Sequence, residues 1–237
     1  GNEHTLFVKD DGTLWGMGRN MSGQLGVGST QDQQNPVQVP GVTGVMSVVA
    51  GYEHTHFIKS DGSLWAMGRN SEGQLGNGNT VQQNVPVQVF ASGVVEVVAG
   101  YQHTVVRAQD GGLWMMGGNG VGQLGDGTTI QRNAPFQLSG VSGVKAIGAG
   151  GTMYNTGPPQ HLNIPAGHTL YARDDGSLWG MGYNVSGQLG MGDTDERHVP
   201  AGVLPSWHGN GNWNLVAVVF DREGNGTHGL VRRYVNG

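Results

Sequence analysis

Short alternating runs of apolar and polar residues recur along this chain, each closed by glycine, proline, asparagine or aspartate. The first two runs, residues 5–9 and 14–18, flank Asp11-Gly12, and an Asp-Gly pair between apolar runs is a strong hairpin signal. Two antiparallel strands joined by a type I′ turn are expected there, because both central residues of that turn need positive φ. A third strand is expected to end in the Pro-Val-Gln-Val runs at 36–39 and 86–89, and a fourth to precede His54 and His103 at 46–50 and 94–99. No ten-residue stretch carries a clean helical period.

The runs belong to a longer repeat. Asp-Gly-x-Leu-Trp ends at Trp15, Trp65, Trp114 and Trp179, which are 50, 49 and 65 residues apart. A His-Thr lies eleven residues before each tryptophan (His4, His54, His103, His168), and an Asn lies five after it (Asn20, Asn70, Asn119, Asn184). Gly-Gln-Leu-Gly begins eight after, and a proline stands 21 after (Pro36, Pro86, Pro135, Pro200). Four strands in about 50 residues, repeated in register, predict an all-β propeller of four-stranded blades. The chain reads as one domain, 1–237, with repeats at about 1–40, 41–90, 91–139 and 140–204 and a partial closing repeat at 205–237. Four or five blades, or part of a seven-bladed ring, fit that count. The run at 215–220 has the character of an inner strand that would complete the first blade beside residues 5–9. On the second strand Trp15 and Met17 share one face, and Leu14, Gly16 and Gly18 the other. The glycines at 18, 68, 117 and 182 are expected to give the indole a flat neighbour.

Gly-x-x-His-Thr at 51–55 and 100–104, Asp-Gly-x-Leu-Trp, and Asn-x-x-Gly-Gln-Leu-Gly at 20–26 and 70–76 resemble the repeats of the regulator of chromosome condensation family, in the style of its bacterial members. The resemblance covers essentially the whole chain and implies a propeller, seven-bladed in the family, built from about fifty residues per repeat. Members similar to the name-giving protein exchange guanine nucleotide on the GTPase Ran and touch nucleosomes. Those of the plant ultraviolet-photoreceptor branch carry Trp-Arg where this chain has Tyr52-Glu53 and Tyr101-Gln102, so the resemblance does not bring light sensing with it. The propeller-type β-lactamase inhibitor proteins, which cover a protein partner with an aromatic rim, offer the nearer parallel. Fold and function are separable, so the function must be read from the sites.

Composition narrows the choice. Charged residues are 12 % and the formal net charge is −5, which argues against a nucleic-acid binder that needs a concentrated basic surface. With no cysteine, disulfides, thiolate zinc sites and a Cys nucleophile are excluded. No run of apolar residues reaches the length of a membrane span. The chain opens at Gly1 with neither an initiator methionine nor a signal-peptide pattern, and a secreted or cell-surface setting is the expectation. No cofactor is implied, since neither a P-loop nor a nucleophile elbow occurs and the Gly-x-Gly pieces precede no helix.

Function is expected where the repeats differ. The third connection carries about fifteen extra residues, 151–167, with Met153, Tyr154 and His161, and is expected to rise from the rim. Residues 206–214 add Trp207 and Trp213 outside the repeat scheme. With Tyr52 and Tyr101 in the turns ahead of the repeat histidines, these residues are the candidate rim for a protein or glycan partner. His4, His54, His103 and His168, with Trp15, Trp65, Trp114 and Trp179, read as scaffold because every unit uses them alike. The loop 192–198 places Asp193, Asp195 and Glu196 beside His198, a weak candidate for a divalent cation. A rim-located hydrolase or metal-dependent enzyme, an exchange-factor-like regulator and a unit of a surface array are the alternatives. An open ring would also self-associate through its sheet edges.

Overall fold

The computed structural model describes residues 1–155 and 163–203. Each repeat folds as a sequential antiparallel meander, and no helix occurs among the described residues. The first sheet holds β1 (His4–Val8), β2 (Leu14–Gly18) and β3 (Gln33–Gln38). The second holds β4 (Val45–Ala50), β5 (His54–Lys59), β6 (Leu64–Gly68) and β7 (Gln83–Phe90). β8 (Val94–Ala99), β9 (His103–Ala108), β10 (Leu113–Gly117) and β11 (Arg132–Gln137) make the third. β12 (Val144–Asn155), β13 (Asn163–Arg173), β14 (Leu178–Gly182) and β15 (Arg197–Gly202) make the fourth. Neighbouring blades meet along their first strands, where β8 contacts both β4 and β12. The expected inner strand of the first blade, 215–220, lies outside the described residues.

The Asp-Gly hairpins form, but with a different turn. Gly12 donates its N–H to the Lys9 carbonyl (2.8 Å), and Lys9 donates to the Thr13 carbonyl (3.0 Å). The central residues are therefore Asp10 and Asp11, and Gly12, at φ +75°, is the left-handed bulge residue after a type I turn. The same pair of bonds closes the turns at Gly62, Gly111 and Gly176. A type I′ turn would leave no work for the aspartate side chain, whereas here Asp11 Oδ1 accepts from both the Thr13 N–H (2.9 Å) and the Thr13 hydroxyl (2.6 Å). That hydroxyl in turn accepts from Trp15 Nε1 (2.9 Å). Asp61, Ser63 and Trp65 repeat the chain of bonds, while Gly112 leaves the third unit without the hydroxyl.

The core is a set of slabs between blades. Leu14 of the first blade packs with Val45, Phe57, Met67 and Trp65 of the second. Leu64 and Ile58 of the second pack with Val94, Val97, Val106, Met116 and Trp114 of the third. Leu113, Val105 and Met115 pack with Ile147, Tyr171, Met181 and Trp179 of the fourth. Strand alternation explains this: the Trp and Met of a second strand look back to the preceding blade, and its Leu looks forward. Three of the four indoles stack on their cross-strand partners, with ring centroids 6.5 Å apart for Phe7 and Trp15, 6.4 Å for Phe57 and Trp65 and 6.4 Å for Tyr171 and Trp179. Trp114 lies opposite Val106 and meets Phe90 of the second blade edge-on at 5.6 Å.

The glycines at 18, 68, 117 and 182 serve another neighbour than the indole. Gly68, at φ +107°, has the Glu53 carbonyl and His54 Cα against it within its sheet, and Gln24 Cα of the preceding blade 3.2 Å from where a Cβ would stand. Gly117 and Gly182 meet Gln74 and Gln123 in the same way. Each of the four positions faces the carbonyl of the residue before the repeat histidine in its own sheet, and at 68, 117 and 182 the preceding blade's Gly-Gln-Leu-Gly loop also lies on the strand, so no side chain is admitted.

Candidate functional site

One rim of the assembly carries the Gly-x-x-His turns and the Asn-x-x-Gly-Gln-Leu-Gly loops, since β2, β6, β10 and β14 all end there. A buried asparagine organises each loop. Asn70 Oδ1 accepts from the Leu75 N–H (3.0 Å), and its Nδ2 donates to the carbonyls of Asn79 (3.0 Å) and Val81 (3.1 Å). Asn20 and Asn119 make the matching three bonds. With its asparagine satisfied, the fourteen-residue loop between the second and third strands holds one shape without a core of its own.

The repeat histidines join blades. His4 Nε2 lies 3.2 Å from Thr55 Oγ1, and that hydroxyl donates to the Gln24 carbonyl at 2.8 Å. His54, Thr104 and Gln74 repeat the relay, as do His103, Thr169 and Gln123. In each case the histidine and glutamine belong to one blade and the threonine to the next. Beside the relays, the N–H groups of Gly28, Gly78 and Gly127 donate to the carbonyls of Asn84, Asn133 and His198 in the following blade. His168 lies within β13, opposite Gly150, and burial lowers its pKa.

Over the first two blades the rim surface is a row of alternating charge. Arg19 pairs with Glu3 and reaches Glu53 at 3.7 Å, and Arg69 pairs with Glu53 at 3.1 Å. A cleft of about 260 Å³ lies beside the row, between Ser22 of the first blade and Arg69, Ser71, Thr80 and Gln82 of the second. The row ends at the third blade, where Gln102 and Gly118 hold the equivalent places. The sequence reading missed it, although the spacing of 16 residues between Glu and Arg in both units was there to be found.

Tyr52 and Tyr101 come together at this point, their ring centroids 4.2 Å apart. Only Tyr52 offers contact area: Tyr101 is 5 % exposed, and burial raises its hydroxyl pKa. The insertion explains why. β12 and β13 run on past the blade in continuous register, from Gly151 opposite Gly167 to Asn155 opposite Asn163. A Cβ at Gly151 would stand 3.1 Å from Tyr101 Cβ, so the root of this ribbon closes over the tyrosine. On its other side Ala166 packs with Val121 and Tyr183. The insertion thus lengthens two blade strands and seats its root in the rim. Met153 and Tyr154 stand in the projecting part of β12, described only in backbone, and His161, Trp207 and Trp213 lie outside the described residues.

The acidic loop of the fourth blade is occupied with its own structure. Asp193 pairs with Arg197, and its Oδ1 accepts from the Asp195 N–H (3.1 Å) and from Asn184 Nδ2 (3.2 Å). His198 Nε2 stands 3.8 Å from Glu196, both on the surface. Among the described residues no group of three or more His, Cys, Asp or Glu is placed to hold a metal ion. No described helix is long and apolar enough to cross a membrane.

The sequence profile of the regulator of chromosome condensation (RCC1) repeat matches residues 11–58, 61–107 and 110–153, and a second profile of the same repeat matches 45–74 and 94–123. The chain belongs to this family. Human WBSCR16 is similar in structure, with a TM-score of 0.70 at 22 % identity over 92 % of this chain and 53 % of that one. The yeast RCC1 protein Prp20, in a crystal structure bound to Kap60, gives 0.73 at 19 % identity over 88 % and 48 %. Prp20p of Saccharomyces cerevisiae, in a structure described with its binding to Gsp1p and histones, gives 0.70 at 19 % over 88 % and 50 %. The chain spans about half the length of these family propellers, and at such identity they share its fold. A comparison with curated protein sequences gives no match.

Proposed function

We propose that this chain is a non-enzymatic recognition module that receives a protein partner on the rim carrying Tyr52, the Glu3–Arg19–Glu53–Arg69 row and the β12–β13 ribbon. The observation that carries the reading is the convergence of three features at one place: the row stops, Tyr52 covers Tyr101, and the ribbon that sets the fourth unit apart is rooted beside them. Shared scaffold residues cannot distinguish partners, whereas departures clustered on a rigid rim can. A half-exposed tyrosine next to fixed ion pairs gives an amphipathic anchor ringed by oriented charges, the composition that protein interfaces favour. Yeast Prp20 is a family propeller seen with protein partners, which supports a protein over a glycan.

The test is affinity measured on partners recovered by the intact chain, alongside a glycan array. Tyr52→Ala, and separately a ribbon shortened to the Gly-Tyr-Gln-His turn of the preceding unit, should each weaken binding at least about tenfold, the loss of an anchor of about 1.4 kcal/mol or more. The melting temperature of Tyr52→Ala should stay near that of the parent. A partner held equally well by both variants would remove this rim from consideration, and saturable glycan binding lost in Tyr52→Ala would move the reading to a lectin.

A further inference from the structure

We propose that the seams between blades are acid-sensitive joints: protonation of His54, His56 and His103 parts neighbouring blades while each blade keeps its own sheet. The relay geometry carries this. The Thr104 hydroxyl gives its proton to the Gln74 carbonyl (2.9 Å), so toward His54 it can only accept, which fixes the proton of the neutral ring on Nε2. A second proton would have to sit on Nδ1. That atom is buried without a partner, and the ring lies against Gly51, where even a Cβ would come within 2.7 Å of Nδ1. His103 is enclosed further. Thr169 and Gln123 fix its tautomer in the same way, and its unpartnered Nδ1 is walled by Gly100 on one side and by Gly167 of the next blade on the other, 3.1 Å from a Cβ there.

His56 adds to the second seam. It stands where the other units have Leu6, Val105 and Leu170, fully buried, with neither ring nitrogen hydrogen-bonded and its ring edge-on to His54 at 5.5 Å. The groups that act on these rings are cations or neutral dipoles. His54 is faced by His56, His4 and His103, His103 by His168, and His56 by the Leu75 carbonyl. No carboxylate is among them, so a charge on any one ring raises the cost of a charge on the next.

Burial accordingly lowers all three: His56 to about 4, His103 to about 3, and His54 well below its ordinary value. Once a seam opens and the ring reaches water, each regains an ordinary value of about 6.5. The open state therefore binds more protons between these limits, so the closed seam is at full strength above about pH 6.5 and weakens as pH falls toward the folded values. Within a blade the sheet hydrogen bonds involve no titrating group, which is why the joints yield first.

Amide hydrogen exchange on the intact chain tests this. The N–H groups of Gly28, Gly78 and Gly127 cross the seams, while those of β5, β6, β9 and β10 report on the blades. Between neutral pH and about pH 5, protection at Gly78 and Gly127 should fall at least about tenfold more than protection in the strands, and return on neutralisation. In the variant combining His54→Gln, His56→Leu and His103→Gln, where the two amides still donate to threonine and no ring titrates at these seams, protection at Gly78 and Gly127 should change no more than in the strands. Loss of seam and strand protection together in the parent chain overturns the proposal, as does an unaltered pH response in a folded glutamine variant. Should that variant not fold, the comparison within the parent chain decides alone.

Discussion

His56 shows what one residue out of pattern does. Its neighbours in sequence place it on a buried face where every other unit puts an aliphatic side chain, and the structure supplies no hydrogen bond to either nitrogen. An unsatisfied buried polar group costs about 1–3 kcal/mol. His56→Leu, which copies the first and fourth units, is thus expected to raise unfolding free energy by roughly that amount at neutral pH, read by denaturant titration. The turn aspartates make the opposite case, of polar groups fully used at the surface. The Ser63 hydroxyl and then its N–H hold the Asp61 carboxyl below the usual carboxylate range, and Thr13 does the same for Asp11. Such a depressed group contributes stability that is present above its unfolded value and is lost as pH falls through the folded one. Ser63→Ala should move the Asp61 titration back toward 3.8, followed by NMR, and leave Asp11 untouched.

Among elements, the hairpins and loops were legible in the sequence because their chemistry is local. Asp-Gly marked each hairpin, and the constant Asn and Gly-Gln-Leu-Gly spacing marked each loop. The turn type was not, since the choice between Asp10-Asp11 and Asp11-Gly12 as central pair depends on where the strand register starts, and side-chain bonds from Asp11 to Thr13 settle it. The role of Gly68 was equally hidden: its near neighbour, Gln24, is 44 residues away in another blade. Of the candidate site, the tyrosines and the insertion could be named from sequence alone. Their convergence could not, because it depends on how β12 and β13 extend past the blade and cover Tyr101. The second strands offer a direct check on the slab core. Met116 is fully buried against Gly76 of the preceding blade, so Met116→Ala should cost about 2–5 kcal/mol in unfolding free energy. Met21→Ala, at a side chain 62 % exposed, should cost almost nothing in the same titration.

For the whole molecule, the important fact is that every relay runs the same way, from a histidine in one unit to a threonine in the next and back to a glutamine carbonyl in the first. Each of the three described joints therefore mates a plug on one unit with a socket on the next in the same way. Duplicating or excising one whole repeat leaves every remaining joint correctly mated, whereas cutting anywhere else strands half of one. Growth and shrinkage by complete copies is thus the inexpensive route by which genes for such proteins can change length. The individuality of a member is then free to accumulate in whichever copy faces its ligand, without renegotiating how the copies hold together.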